Sequence, residues 1–334
     1  MIDTILLNHG SGRGLDELLH TVILPEIGID SAAPLEDAAV FTLPQGRCAF
    51  TTDSFVIRPL EFPGGDIGKL SVCGTINDLA MVGATPHSIS VAMIIEEGLD
   101  VALLRRILRS IRHESKAAGV SIQCGDTKVV DRGKADGIFI ATSGIGIVPA
   151  GRNLSVAHAR SGDAVVLSGP IGLHGIAVLS AREGLNFAST VVSDCASLHR
   201  CTDALLKASP HTRIMRDATR GGCAAVLNEI AEASGVTIMV RQSAIPVPPE
   251  VAGACSYLGL DPLQVANEGR FVAIVPAEEA EAAVAACRTV VHGDGACIIG
   301  TVEPRGRVAV LLETAIGSRR VVDVPSGELL PRIC

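Results

Sequence analysis

Aromatic side chains are almost missing: 2% of 334 residues, as seven Phe, one Tyr and no Trp. That removes the platforms on which nucleic-acid bases stack. Ala, Val, Ile and Leu must supply the core of a chain that is 48% apolar. An excess of basic charge is missing too. The net charge of −8 argues against nucleic acid as a partner, because readers of phosphate backbones carry basic faces. No apolar run reaches the roughly 18 residues that a membrane helix needs, and the Met1-Ile2-Asp3-Thr4 start lacks the basic character of a signal peptide. None of the ten cysteines, at 48, 73, 124, 195, 201, 223, 255, 287, 297 and 334, forms a C-x-x-C pair. A zinc site and a disulfide framework are therefore disfavoured, and reduced thiols in the cytoplasm are expected.

Short apolar runs bounded by Gly, Pro or charge predict strands over 47–53, 88–95 and 138–148. Between them, 66–81 and 100–118 read as helices. The second has a clear stripe, Leu103, Leu104, Ile107, Leu108 and Ile111, with Arg105, Arg106, Arg109 and Arg112 outside it. Pro149-Ala150-Gly151-Arg152-Asn153 interrupts the pattern as a linker. A strand over 163–167, helices near 172–182 and 223–234, and strands near 236–240, 271–275 and 297–302 follow. The fold class is α/β, or α+β, in two halves split near 150–160. The division is a Gly-rich segment over 1–34, a domain over 35–150, a second over 160–321 and a tail over 322–334. Pro325, Gly327 and Pro331 make that tail extended.

The chemistry-bearing segments begin at His9-Gly10-Ser11-Gly12-Arg13-Gly14. Its backbone N–H groups can converge on an anion at the start of a helix, although a plain terminal loop reads equally well. Phe62-Pro63-Gly64-Gly65-Asp66-Ile67-Gly68-Lys69 invites a P-loop reading and fails it. Pro63 stands where the first Gly belongs, and Leu70 replaces the magnesium-binding Ser/Thr. Asp37, Asp53, Asp78 (beside Asn77) and Asp126 lie in apolar or glycine-rich surroundings. Singly, each reads as a cap or turn residue. Four in one half point to carboxylates holding Mg2+ and, with it, a nucleotide. Gly125-Asp126-Thr127-Lys128 adds a hydroxyl and an ammonium after a turn. Arg216-Asp217-Ala218-Thr219-Arg220-Gly221-Gly222 is dense in anion donors at a helix start, and Glu268 sits in a loop before a strand. Finally, the chain ends Pro331-Arg332-Ile333-Cys334. A 13-residue arm (322–334) spans about 43 Å at some 3.3 Å per residue, enough to carry a group on its terminal thiol into a distant site.

Taken in order, these segments resemble the HypE family of carbamoyl dehydratases, which serve hydrogenase maturation. The resemblance rests on residues 9–13, 52–56 and 62–70, on Cys73-Gly74-Thr75-Ile76-Asn77-Asp78-Leu79-Ala80, and on Gly125-Asp126-Thr127-Lys128-Val129-Val130. In the second half it rests on Gly172-Leu173-His174-Gly175, 216–222, 258–263, Ala266-Asn267-Glu268-Gly269 and Pro331-Arg332-Ile333-Cys334. Arg13 departs from the family's usual Gly, and Ala218 from its usual Pro.

The resemblance implies a PurM-like two-domain fold of the aminoimidazole-ribonucleotide synthetase superfamily. Its N-terminal domain would form a β-barrel-like core in a homodimer, followed by a C-terminal α/β sandwich and a flexible tail. It implies ATP and Mg2+, with Gly10, Ser11, Gly12, Asp37, Asp53, Asn77, Asp78, Gly125, Asp126, Thr127, Arg220 and Gly221 binding the nucleotide. Cys334 would carry the carbamoyl group, Glu268 would act as base and Lys128 would steady negative charge. It further implies the carbamoyltransferase HypF as donor and the HypC–HypD iron scaffold as acceptor. Two alternatives stay open: another ATP-dependent member of the superfamily, such as a thiamine-monophosphate kinase or selenophosphate synthetase, and a non-catalytic scaffold presenting Cys334.

Overall fold

A computed structural model describes residues 2–30, 38–39, 41–184 and 191–324. Asp37, Cys334 and most of the tail, three of the features singled out above, lie outside the described residues.

The N-terminal residues form α1 (Gly12–Leu18) and α2 (Leu24–Ile27), joined by a π-type turn over Leu19–Ile23. The first domain then builds β1 (Arg47–Phe55), the small pair β2 (Glu61–Phe62) and β3 (Gly65–Asp66), α3 (Ile67–Met81), β4 (Thr85–Glu96), α4 (Val101–Ala118), β5 (Ser121–Val130) and β6 (Ile138–Val148). Four of these strands make one sheet in the order β1-β6-β4-β5. It is open, with β1 and β5 as its edges, so no barrel closes among the described residues. β5 was not expected from the sequence, which put Gly125 and Asp126 at a turn. They lie inside this edge strand instead, where an exposed, polar, glycine-containing run shows no apolar alternation.

The helix α4 folds as its stripe predicts. Leu104, Ile107, Leu108 and Ile111 are fully buried, Asp100 caps its start by accepting from Ala102 N at 3.0 Å, and left-handed Gly119 ends it. α3 is apolar on nearly every side, with Ile67, Leu70, Val72, Cys73 and Ile76 at zero exposure. A helix of that kind has to be covered all round. The sheet covers one side, α4 another, and the second domain the rest. Val178, Cys195 and Ala266 of the second domain complete the first domain's core.

The second domain comprises β7 (Ala164–Leu167), α5 (Leu173–Glu183), α6 (His199–Ala208), β8 (Ile214–Asp217), α7 (Gly222–Ser234), β9 (Val236–Arg241), α8 (Pro249–Leu258), β10 (Phe271–Val275), α9 (Ala280–Cys287), β11 (Cys297–Pro304), β12 (Val310–Glu313) and β13 (Arg319–Val321). Its sheet runs β13-β12-β9-β11-β7-β10-β8. Alternate residues face opposite layers. Val165, Leu167, Val272 and Ile274 pack under α7, while Ala164, Val166, Phe271 and Ala273 pack under α6 and α9. Because both faces are covered, β7 and β10 are buried at every residue. This is the expected α/β sandwich.

Candidate active site

Two carboxylates meet where β1 and α3 face the second domain. Asp53 accepts from Thr75 Oγ1 at 2.9 Å, and Asp78 accepts from Thr51 Oγ1 at 2.7 Å. The side-chain period of a strand puts Thr51 and Asp53 on the same face of β1, and a helical turn sets Thr75 and Asp78 against them. Burial, followed by the charge of Asp78, pushes the Asp53 carboxyl up, against the pull of Thr75 and the Arg220 guanidinium. Asp217, at the end of β8, joins them. Burial and then Asp78 push it up to about 6, with Arg216 opposing. Asp78 and Asp217 line one cleft of about 310 Å³ between the domains. Acids gathered in this way form the oxygen-rich donor set that a hard cation such as Mg2+ satisfies. No group of three or more His, Cys, Asp or Glu stands in ready metal-holding geometry among the described residues.

Gly221 and Gly222 start α7 with φ of 74° and 60°. A side chain on Gly222 would meet Val265 O at 2.5 Å and Leu263 O at 2.6 Å, so only glycine fits there. The turn leaves Arg220 exposed, beside Asp53 and Glu268, whose charges it offsets.

Glu268 is 4% exposed and its Oε1 has no hydrogen-bond partner. Burial first, then Asp217, Asp194 and Cys73, hold its carboxyl well above the usual range, against Arg220. Burial of this kind raises the affinity of a carboxylate for a proton, which is what a base needs. Asn77, expected at the nucleotide, is engaged with backbone groups. Its Nδ2 donates to Ala196 O at 3.0 Å and Glu268 O at 3.4 Å, and its Oδ1 accepts from Leu198 N at 2.8 Å. The amide is engaged on both ends, as the buried polar group of an apolar helix must be. It straps α3 to the two loops that hold Glu268.

The structure separates the remaining residues from this cleft. Asp53, Thr142, Val91 and Gly125 form one row across the sheet. Three strand spacings of about 4.8 Å therefore put β5 some 14 Å from β1. Side-chain alternation points Thr127 inward, where it is 6% exposed, and leaves Asp126 and Lys128 on the outer face. Within one chain Asp126 cannot share a cation with Asp53, and Lys128 stands on the far side of sheet and α3 from Glu268. Gly10 sits against the β5 edge, where a side chain on it would meet Val129 Cβ at 3.0 Å, and Ser11 and Gly12 follow it in the chain, with open space around the Cβ position of Gly12. Gly125 and Thr127 also line an apolar cavity of about 630 Å³ beneath α1, α2 and β4. The residues thus fall into two half-sites: an acidic one at the domain cleft, and a glycine, Asp126 and Lys128 one at the β5 edge. Sequence reasoning missed Asp194 altogether, and it read Asp217 only as part of an anion-binding loop. Asp194 lies in no motif that sets it apart from an ordinary loop acid, and Asp217 stands in the Arg216–Gly222 segment, where the cationic and glycine donors masked it.

The two-domain architecture with an acidic interdomain cleft defines the class. Residues 35–148 match the AIR synthase related protein, N-terminal domain, and residues 160–313 match the AIR synthase related protein, C-terminal domain. The chain belongs to the HypE family of carbamoyl dehydratases within that class. It is 48% identical to the carbamoyl dehydratase HypE of Rhodobacter capsulatus, over 99% of this chain and 98% of that protein. A crystal structure of the hydrogenase maturation protein HypE in complex with ATP superposes with a TM-score of 0.93 at 45% identity, covering 99% of this chain and 100% of that one. The HypE chain of a HypE–HypF complex superposes at 0.81 and 46% identity, covering 83% and 90%.

Proposed function

We propose that this protein dehydrates a carbamoyl group carried as a thiocarboxamide on Cys334, using ATP, and so yields a thiocyanate whose cyanide goes to hydrogenase iron. The observation that carries this reading is Glu268, an unpartnered carboxylate buried beside a carboxylate-lined cleft in a chain that matches the family end to end. A carboxamide oxygen is a poor leaving group. Transfer of the γ-phosphoryl group to that oxygen lets it depart as phosphate. Glu268 takes a proton from the amide nitrogen, and its raised affinity for protons suits the task. Lys128 steadies negative charge on the amide oxygen and the moving phosphoryl group.

Mg2+ fits the acids present: Asp53 and Asp78, with Asp37 and Asp126 as further candidates, would hold it, and it would neutralise the triphosphate. Arg220 and the Gly221 amide receive phosphate oxygens at the start of α7. The apolar cavity beside Gly125 and Thr127 is large enough for a purine. Tethering the substrate to the chain's own terminus replaces a bimolecular encounter by an intramolecular one.

The two half-sites are joined by a second copy. The outer face of the sheet carries Phe50 at 68% exposure and Ile94 at 43%, and β1 and β5 end the sheet as long edge strands. Two such faces packed about a two-fold axis give the barrel-like core. They set β5 of one copy beside β1 of the other, which brings Asp126 and Lys128 to the acidic cleft. HypF is the carbamoyl donor and the HypC–HypD scaffold the acceptor of the cyanide. The nine cysteines of the described residues are all unpaired, which fits a reducing cytoplasm. No helix among the described residues is long and apolar enough to cross a membrane.

The test is intact-mass analysis. Protein carbamoylated by HypF from carbamoyl phosphate should lose one water on addition of Mg-ATP and form ADP and phosphate. Cys334→Ala should abolish the loss, and Glu268→Gln should retain ATP binding but stall with the carbamoyl group attached. A Cys334→Ala protein that still yields the dehydrated species would refute the carrier role.

A further inference from the structure

Five buried side-chain atoms have no hydrogen-bond partner among the described residues: His87 Nδ1, Asp194 Oδ2, Ser197 Oγ, His199 Nδ1 and Glu268 Oε1. Four of the five fall on two short segments, 194–199 and the Glu268 loop, that close on each other. Glu268 N donates to Asp194 Oδ1 at 3.2 Å, and Ala196 N donates to Glu268 O at 3.3 Å. The Asp194 side chain has no exposure at all. Its one ionic neighbour among the described residues is Arg270, whose Nε stands 3.8 Å from Oδ2, beyond hydrogen-bond reach. That guanidinium already donates to Pro170 O, Gly269 O and His292 O at 2.9, 2.8 and 3.1 Å. Two carboxylate oxygens, one on Asp194 and one on Glu268, are therefore sealed from water with nothing to accept from. Such burial is costly unless a ligand supplies the donors.

The proposed reaction offers two such donors. A carboxamide nitrogen carries two hydrogens, and both must leave to make a nitrile. Glu268 takes one. At 4% exposure it has no ready way to pass that proton to solvent before the second must go. We infer that Asp194 is the second proton acceptor of the dehydration, so that the two amide hydrogens go to two different carboxylates. This deepens the reading given under the proposed function and rests on it.

In the first step the amide oxygen bonds to the γ-phosphorus of ATP, the bond from that phosphorus to the β-phosphate oxygen breaks, and ADP leaves. One N–H proton passes to Glu268, leaving an uncharged C=NH group on an imidate whose phosphate keeps its negative charge. In the second step the remaining N–H proton passes to Asp194. The electron pair of that N–H bond completes the carbon–nitrogen triple bond, the carbon–oxygen bond breaks, and phosphate departs. Asp217 also acts on Glu268, but its carboxyl lines the Asp78 cleft rather than the sealed contact between the 194–199 segment and the Glu268 loop. The groups facing Glu268 are Asp217, Asp194, Cys73, Cys195 and Arg220. Of the two aspartates, only Asp194 has an oxygen that is buried without a partner.

The experiment compares ADP formed with thiocyanate formed, using the full-length chain carbamoylated by HypF and supplied with Mg-ATP. Wild type should form the two in equal amounts. Asp194→Asn should go on making ADP and phosphate while dehydrated product falls, so that the ratio rises about tenfold or more. The imidate phosphate that cannot lose its second proton is hydrolysed back to the carboxamide. Asp194→Glu should restore the ratio towards that of wild type. Glu268→Gln should form neither ADP nor product. A fall of both quantities together in Asp194→Asn, with the ratio unchanged, would mark Asp194 as structural and overturn this inference alone. Should Asp194→Asn fail to fold, Asp194→Ala is measured with and without formate. A ratio that falls back when formate is added supports proton acceptance, and indifference to formate overturns it. Absence of dehydration in wild type overturns both this inference and the function it rests on.

Discussion

Gly269 tests whether the loop holding Glu268 is positioned as tightly as the structure shows. A Cβ at this position would lie 1.9 Å from Asp194 O, 2.9 Å from Asp194 C and 3.3 Å from Ala196 N. All three are backbone atoms that cannot swing aside. Ordinary contact begins near 3.4 Å, so Gly269→Ala must part the two loops by about 1.5 Å. The bonds across the gap, Glu268 N to Asp194 Oδ1 at 3.2 Å and Ala196 N to Glu268 O at 3.3 Å, are already long and would break. Overpacking of this kind costs about 1–3 kcal/mol. For a domain of this size that is a fall in Tm of roughly 2–12 °C. The larger effect falls on chemistry, since misplacing a reacting group by about 1 Å costs on the order of 100-fold in rate. Opening the loop also admits water, which brings Glu268 back towards the ordinary carboxylate range. Single-turnover dehydration followed by intact mass should therefore slow by about two orders of magnitude. ATP affinity, measured by calorimetry, should hold, because Asp53 and Asp78 stand on β1 and α3. A Gly269→Ala protein with wild-type Tm and wild-type single-turnover rate would refute the reasoning.

Other expectations follow from the same geometry. Asp217 has its carboxyl held up to about 6 against the usual 3.8, so the folded chain without magnesium keeps a proton that the unfolded chain releases. The stability this proton contributes is lost as pH rises through about 6. Asp217→Asn should therefore raise the Tm of the chain in EDTA above that pH and leave it unchanged only well below the unfolded value of 3.8, near pH ~2.5, where both states are protonated. A variant less stable than wild type at neutral pH in EDTA would contradict this. If the active site takes Lys128 from one copy and Glu268 from the other, Lys128→Ala and Glu268→Gln proteins should each be inactive alone. After mixing through unfolding and refolding, half of the dimers carry one intact site, and dehydration should recover to about a quarter of the wild-type rate. No recovery in dimers shown to be mixed would place both residues in one chain's site.

Much of the architecture was legible because apolar periodicity records it directly. α4 wears its stripe on the surface of the sequence, and the buried runs at 164–167 and 271–275 announce strands covered on both faces. β5 escaped notice because an edge strand with one open face has no need of alternating apolar residues, and its glycine and Asp126 imitate a turn. The acids of the site were legible by type but not by grouping. Asp53 and Asp78 are 25 positions apart in the chain and meet only because β1 pairs with β6 and α3 lies across them. Asp194 looks like any loop aspartate until the chain buries it against Glu268.

The sequence alone, then, determined the two α/β halves, the acidic and glycine-rich segments and the thiol at the terminus. Those are properties of residue type and local spacing, which each stretch of chain carries with it. Only the tertiary structure decided that Asn77 binds backbone, that Asp126 and Lys128 face away from Asp53, and that Asp194 and Asp217 stand with Glu268. Each of these depends on which face of a strand or helix meets which neighbour across 20 to 190 residues of intervening chain, and no local pattern encodes that pairing.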